Sequence, residues 1–477
     1  MGAPVAIGVD SSTQSVKVEA RDLVTGAVVA TGSAPHPPTT PPVSEQDPRD
    51  WWTALAAAMS SLGDVRRDAV AMSVAGQQHG CVLLDATGEP VRPAKLWNDT
   101  TSAPQAAQLV ERLGADRWAT TTGSVPVASF TITKLAWLAE HEPEALARAT
   151  RVMLPHDYLT WRLTGEHVTD RGDASGSGWF DPSNDAHVPD LLAAATGDWD
   201  GEVPRVLGPA DTAGTVGADV ADALGLPAGI VVAPGSGDNM GAAMGLGLRA
   251  GDVAISLGTS GTVFAVSATP TADTTGAVAG FASATGSFLP LVCTLNATKV
   301  TDTVARWLGT DATGLAELAL SATDDPGSSV LVPYFDGERT PNLPDATGTL
   351  HGLTTATTRE QIALAAHDGV LCGLLDGVDA LRRVGATVDG RVFLVGGGSR
   401  SAAYRQRAAD LVASTVTVPH SDETVATGAA AQAAAMHTGE SVADVATRWG
   451  LGAGDEIAPA RDASARRVAY AEASTVA

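Results

Sequence analysis

Val5-Ala6-Ile7-Gly8-Val9 runs into Asp10-Ser11-Ser12-Thr13-Gln14-Ser15 and out through Val16-Lys17-Val18-Glu19-Ala20. Half a chain later the pattern returns: Asp252-Val253-Ala254-Ile255-Ser256-Leu257 runs into Gly258-Thr259-Ser260-Gly261 and out through Thr262-Val263-Phe264-Ala265-Val266. Each stretch is an apolar β run, a tight turn of small hydroxyl and glycine residues, and a second β run, the pattern of a hairpin. The tip of such a hairpin offers backbone N–H groups and hydroxyls, which suit phosphate. A repeat at this spacing implies two similar domains facing one nucleotide, and so phosphotransfer chemistry.

The rest of the chain agrees with two α/β domains. Its 477 residues exceed one ordinary core. Asp47-Pro48-Arg49-Asp50 opens a helix through Trp51, Leu55, Ala58 and Met59. Ala69–Val74 alternates as a strand and ends in the polar, glycine-bounded loop Gly76-Gln77-Gln78-His79-Gly80, where α/β folds place ligand contacts. Ile230–Pro234 reads as a strand feeding Gly235-Ser236-Gly237-Asp238-Asn239. The small-residue run Met240–Leu248 reads as a closely packed helix. The division falls there, giving residues 1–245 and 246–477. In the second half a helix is expected over Arg359–Arg383, then a strand Arg391–Val395, the loop Gly396-Gly397-Gly398-Ser399 and a helix from about Ser401. Strand, glycine loop and helix N-terminus together make an anion or nucleotide site, because first-turn N–H groups lack partners. Thr424–His437 reads as an alanine-rich helix.

Composition removes several classes of function. The net charge of −24 repels nucleic acid and anionic membrane and favours a neutral substrate over an anionic one. Cys81, Cys293 and Cys372 show no metal-ligand spacing and read as buried small hydrophobes in a reducing, cytoplasmic setting. No signal sequence or membrane-spanning apolar run is visible. None of the four lysines, Lys17, Lys95, Lys134 and Lys299, follows a glycine, so there is no P-loop. His-Arg-Asp and Asp-Phe-Gly are absent, which excludes a protein kinase. The late glycine loop lacks dinucleotide spacing. A lysine-poor mechanism is left, with phosphate held by hairpin tips, backbone N–H groups and Mg2+.

Asp10 with its Ser/Thr tip, Gly258-Thr259-Ser260-Gly261 and Gly396-Gly397-Gly398 resemble the two phosphate loops and adenosine loop of the FGGY carbohydrate kinases. Within that family, further segments are similar to the members that phosphorylate D-xylulose. These are Ser44–Pro48, Gly76–Gly80, Leu96-Trp97-Asn98-Asp99, Leu154-Pro155-His156-Asp157-Tyr158-Leu159, Gly237-Asp238-Asn239 and Gly337-Glu338-Arg339-Thr340-Pro341. The resemblance is collinear over nearly the whole chain. It implies two actin-like (ribonuclease H-like) domains, each a mixed sheet flanked by helices, with a cleft between them, ATP and Mg2+ as cofactors, a sugar partner and a homodimer.

Residue by residue, the resemblance implies that Asp238 is the general base and that Gln78, His79 and Asn239 contact the sugar. It implies that Asp10 positions Mg2+, that Ser12, Thr13, Gly258, Thr259 and Ser260 face phosphate, and that Gly397 and Gly398 lie against adenosine. Neutral amide and imidazole groups suit an uncharged polyol. Ribulose, glycerol or another polyol stays open as the substrate, and so does a non-catalytic actin-like ATPase scaffold. Trp51, Trp52 and Trp97 read as core or interface aromatics, Asp99 as structural, and Arg171-Gly172-Asp173 as a chance tripeptide.

Overall fold

The computed structural model describes residues 2–323 and 329–475. The chain forms two compact units. One comprises Met1–Leu248, Thr269–Leu289 and Glu423–Leu451; the other comprises Arg249–Ala268, Pro290–Asp422 and Gly452–Ala477.

In the first unit the hairpin pairs Val5–Ser11 with Ser15–Asp22 antiparallel, with Val9 opposite Val18 and Asp10 opposite Lys17. Val5–Ser11 also runs parallel to Ala69–Gly76, which sets Asp10 beside Ala75. The sheet order is Gly214–Thr215, Val231–Val232, Ala69–Gly76, Val5–Ser11, Ser15–Asp22, Val28–Pro35, and Ser236–Gly237 also joins Ala69–Gly76. Every residue of the central strand Val5–Ser11 is buried because both faces of the sheet are covered. Val5, Ile7 and Val9 point to one core with Trp51, Leu55 and Met59 of the helix Pro48–Ser61, which Asp47 caps as expected. Ala6 and Ala71 point to the other face, against Ala431, Ala434 and Ala435 of the helix Val425–Thr438. This alternation is the two-residue period of a strand.

That second face is built on close backbone approach. A Cβ at Gly8 would stand 1.9 Å from the Ala426 carbonyl oxygen, and one at Gly428 would stand 1.9 Å from that of Gly241. The helices Asp238–Gly245 and Val425–Thr438 therefore pack backbone to backbone, which only glycine and alanine permit. Asp238 sits in the first turn of the shorter one. The strand expected over Ile230–Pro234 is only Val231–Val232. Pro234 has no N–H to pair, and Gly235 at φ +87 turns the chain into Ser236–Gly237.

The second unit repeats the plan. Val253–Leu257 pairs antiparallel with Gly261–Ala265, the tip closing between Leu257 and Gly261. It runs parallel to Val392–Val395, which in turn pairs with Val416–Pro419. The helix Arg359–Arg383 has the expected bounds and starts with a capping box between Thr358 and Gln361. In both units, the strand parallel to the first hairpin strand leads into a loop singled out by sequence: Gln77–Gly80 in one, Gly396–Gly398 in the other. Among the described residues no helix is long and apolar enough to cross a membrane.

Candidate active site

The first unit gathers Asp10, Ser12, Thr13, Gln78, His79, Asp238 and Asn239 at the ends of neighbouring strands. Ser236–Gly237 pairs with Ala75–Gly76, so the segments carrying Asp238 and Gln78 emerge side by side. A Cβ at Gly237 would come 2.6 Å from Gln78 Cγ, so glycine is required for that approach. Asn239 Nδ2 donates to Gln78 Oε1 at 2.8 Å and to Asp238 Oδ1 at 3.0 Å, while the Asn239 N–H donates to Asp238 Oδ1 at 2.8 Å. Gln78, Asn239 and Asp238 thus form one hydrogen-bonded chain. Gln78 Nε2 is buried and has no hydrogen-bond partner among the described residues. Withdrawal from water pushes the Asp238 carboxyl up to about 6, against the hydrogen bonds from Asn239, which favour the ionised form.

His79 takes φ 64, a left-handed conformation uncommon outside glycine. Its Nδ1 lies 2.9 Å from the Gly176 carbonyl oxygen, which only accepts, so Nδ1 carries the proton. The ring stacks on Phe130 at 4.9 Å and lies tilted to Phe281 at 5.5 Å.

Asp10 is 5 % exposed and its Oδ1 has no hydrogen-bond partner among the described residues. Burial, then the carboxylates of Glu423 and Asp238, push it up to about 8, with Lys17 opposing. Lys17 itself pairs with Glu423 at 2.7 Å. A buried, unpartnered carboxylate oxygen beside two further carboxylates is a place where a cation relieves charge crowding. Among the described residues no group of three or more His, Cys, Asp or Glu side chains is arranged to hold a metal ion. Asp10 therefore fits a cation held largely through water and phosphate oxygens.

At the first tip, the Ser12 hydroxyl donates to the Ser15 carbonyl at 2.9 Å, and the Thr13 hydroxyl donates to Gln77 Oε1 at 3.1 Å. Trp97 Nε1 donates back to Thr13 Oγ1 at 2.8 Å. Trp51 is fully buried, whereas Trp97, expected as a core or interface aromatic, is 44 % exposed and flanks the loop rather than filling the core. Its place in the segment Leu96–Asp99 was the available signal. Glu423 gave none, because only the fold brings it to Asp10. Asp99 is structural as expected, accepting from the Ser44 N–H at 2.8 Å and pairing with Lys95 at 3.3 Å. Cys81 and Cys372 are buried, whereas Cys293 is half-buried on its strand.

The second unit gathers Gly258, Thr259, Ser260, Gly397 and Gly398. The tip is exposed at Thr259 and Ser260 and is braced from behind by the N–H groups of Thr298 and Ala297, which donate to the Gly258 and Thr259 carbonyls at 2.9 and 3.3 Å. Gly396, at φ +84, lies on the Leu257 backbone, and Gly398 packs between Leu257 and Thr298. Gly397 faces open space: a Cβ there would meet nothing within 4 Å. Ser401 caps the helix Ala402–Val412 that follows.

This arrangement has close counterparts. A xylulose kinase of Streptomyces coelicolor is 51% identical over 455 residues, covering 94% of this chain and 92% of that one. A xylulose kinase of Escherichia coli is 37% identical over 417 residues, 85% of this chain and 84% of its own. The crystal structure of xylulose kinase from Bifidobacterium adolescentis superposes with a TM-score of 0.89 at 41% identity, covering 99% of each chain. The fold extends to Plasmodium falciparum glycerol kinase with ADP, TM-score 0.87 at 19% identity over 99% of this chain and 97% of that one, and it is the actin-like ATPase fold. Models of the N-terminal and C-terminal domains of one family match residues 5–245 and 253–437, so that both hairpins and the loops beside them fall within it: the chain belongs to the FGGY family of carbohydrate kinases.

Proposed function

We propose that the chain transfers the γ-phosphoryl group of ATP to the O5 hydroxyl of D-xylulose, giving D-xylulose 5-phosphate and ADP. The observation that carries this reading is the hydrogen-bonded chain Gln78–Asn239–Asp238, which sets sugar-recognising amides and a carboxylate in one connected group. The curated relatives named xylulose kinase support the choice of sugar. Asp238 accepts the hydroxyl proton as the sugar oxygen attacks the γ-phosphorus and the bond to ADP breaks. Asn239 holds the carboxylate in its ionised form and orients it. Gln78 Nε2, buried and unpartnered, donates to a sugar hydroxyl, and the ring of His79, fixed by Gly176 and Phe130, offers a second polar contact on a flat apolar face.

Asp10 would hold Mg2+, whose charge, when bound, offsets that of the transferring phosphoryl group. Ser12 and Thr13 face phosphate through the backbone of their tip. Gly258, Thr259 and Ser260 cradle the nucleotide phosphates, and Gly397 and Gly398 let adenosine lie against backbone. A coupled assay of ADP release across ketoses and polyols tests the reading. Turnover fastest with D-xylulose is expected; a preference for ribulose or glycerol would overturn the choice of sugar.

A further inference from the structure

We propose that His156 is a positioning residue for phosphoryl transfer: its buried imidazolium, shared by Asp157, Asp170 and Asp173, ties down the two backbone segments that carry Gln78 and Asp238. The kinetic part of this inference rests on the reading of Asp238 as the base.

His156 lies in the first turn of the helix Pro155–Thr164 and is completely buried. Its Nε2 stands 3.2 Å from Asp157 Oδ1, 3.4 Å from Asp170 Oδ1 and 3.4 Å from Asp173 Oδ2. The three carboxylates come from different places. Asp157 is the next residue of the helix and accepts from the Leu154 N–H at 2.8 Å. Asp170 ends a strand and caps the single helical turn Arg171–Ala174, accepting from Gly172 and Asp173 N–H groups at 2.7 and 3.0 Å. Asp173 lies within that turn, and among the described residues neither of its oxygens, nor either ring nitrogen of His156, has a hydrogen-bond partner, so the acids meet the ring at ion-pair distance rather than through a hydrogen bond. Three buried acids around one base hold together only if the imidazole is charged and protons are retained among the acids. Burial opposes the charge on His156, but the surrounding carboxylates outweigh it and push the imidazole up to about 9.

The position of this cluster gives it a function. A Cβ at Gly235 would stand 2.6 Å from His156 Nδ1, and one at Gly76 would stand 3.2 Å from His156 Cβ. Gly76 leads directly into Gln77-Gln78-His79, and Gly235 into Ser236-Gly237-Asp238. One side chain thus lies against both segments where they leave the sheet. The capped turn adds two more links: a Cβ at Gly172 would meet Met240 of the Asp238 helix at 2.9 Å, and the Gly176 carbonyl accepts from His79. A neutral side chain of similar size would fill the space but leave Asp157, Asp170 and Asp173 without their shared cation. The segments would then part, and displacement of about 1 Å at a reacting group costs on the order of a hundredfold in rate.

The test compares His156→Gln, His156→Lys and the double variant His156→Gln/Asp173→Asn in the full chain. His156→Gln is expected to lower kcat for D-xylulose by about 10- to 100-fold with KM for ATP unchanged. Lys restores the cation and the double variant removes one of the buried acids that the cation holds together, so both should recover most of the loss. Amide hydrogen exchange over residues 74–79 and 233–239, measured without substrate, should quicken in the Gln variant and return to the wild-type pattern in the Lys variant. Wild-type kcat and exchange in His156→Gln, or a Lys variant as impaired as the Gln variant, would overturn the proposal. If His156→Gln does not fold, His156→Lys decides alone: near-wild-type kinetics supports a charge tie and collapse refutes it. Should the wild-type chain turn over no ketose, the reading of function fails while the exchange comparison still decides on His156.

Discussion

Asn239 Nδ2 donates to Gln78 Oε1 at 2.8 Å, a bond between side chains 161 positions apart in the chain. It fixes which face of the Gln78 amide is outward, since an oxygen occupied by Asn239 leaves Nε2 as the group presented to a ligand. Asn239→Ala frees that rotation and removes the side-chain hydrogen bond to Asp238, while the backbone N–H of residue 239 still donates to it. A loss of about 10- to 100-fold in kcat/KM for the sugar is expected, larger than one neutral hydrogen bond because two groups lose their orientation. KM for ATP should stay within about twofold, because no nucleotide contact is assigned to Asn239. Steady-state kinetics with each substrate varied in turn checks this.

Asp238→Asn keeps the size of the side chain and removes its basicity. A fall in kcat of about 10^2- to 10^4-fold is expected, the usual contribution of a positioned base. Melting temperature should be unchanged or higher, because the partly desolvated carboxylate no longer has to be kept charged. Transfer to sugar at the wild-type rate would remove Asp238 from the mechanism.

The base acts only when ionised, and withdrawal from water places its carboxyl at about 6. kcat/KM for the sugar, which reports the free enzyme, should therefore be level above that pH and fall as pH drops through it, approaching about tenfold per unit on the acid side. The side-chain hydrogen bond from Asn239 favours the ionised form, so its removal raises the carboxyl further. The acid limb of Asn239→Ala is accordingly expected at higher pH than that of the wild type. A limb in the same place in both proteins would show that another group titrates.

The two hairpins were legible because a period of two with a small-residue turn has few other solutions, and the helix Arg359–Arg383 because its capping box and apolar face mark its bounds. The candidate site was legible where a strand end and a glycine coincide, at Gln78 and Asp238, which the fold brings side by side. Local pattern could not reveal partners brought by the fold. Glu423 lies beside Asp10 only because the helix Val425–Thr438 packs on the first sheet, and that helix, buried nearly all round, has no polar face to announce its direction. The His156 cluster was equally hidden, since its acids sit in a loop-rich stretch whose only marks were two short motifs. Trp97 could be placed by residue type only as a core or interface aromatic, and it is the Thr13 hydroxyl, 84 positions away in the chain, that holds it at the surface.

Glu338 explains the segment Gly337–Pro341. Only 3 % exposed, it accepts from the Leu295 N–H at 2.6 Å, from the Arg339 N–H at 2.7 Å and from Asn296 Nδ2 at 2.9 Å. The chain it fixes, 295–298, is the one that braces the Gly258 and Thr259 carbonyls. Glu338→Ala leaves the Leu295 and Arg339 N–H groups without this acceptor, while Asn296 Nδ2 keeps its bond to the Gly337 carbonyl, and about 1–3 kcal/mol of stability should be lost. Because the brace slackens, KM for ATP should rise several-fold while KM for the sugar holds. Thermal unfolding and paired kinetics check the two effects separately.

Gly397 and Gly398 are neighbours with opposite demands, and alanine at each separates packing from ligand approach. A Cβ at Gly398 would lie 2.7 Å from Leu257 Cβ and 2.8 Å from Thr298 Cγ2, so Gly398→Ala must shift the loop against the hairpin it rests on. It should lose about 1–3 kcal/mol of stability, the common cost of overpacking. At Gly397 a Cβ would meet no protein atom within 4 Å, so Gly397→Ala should melt at the wild-type temperature. If adenosine lies on this backbone, the added methyl occupies the space the ligand needs, and KM for ATP should rise about tenfold or more with kcat little changed. An unchanged KM for ATP in a stable Gly397→Ala would place the nucleotide elsewhere in the second unit.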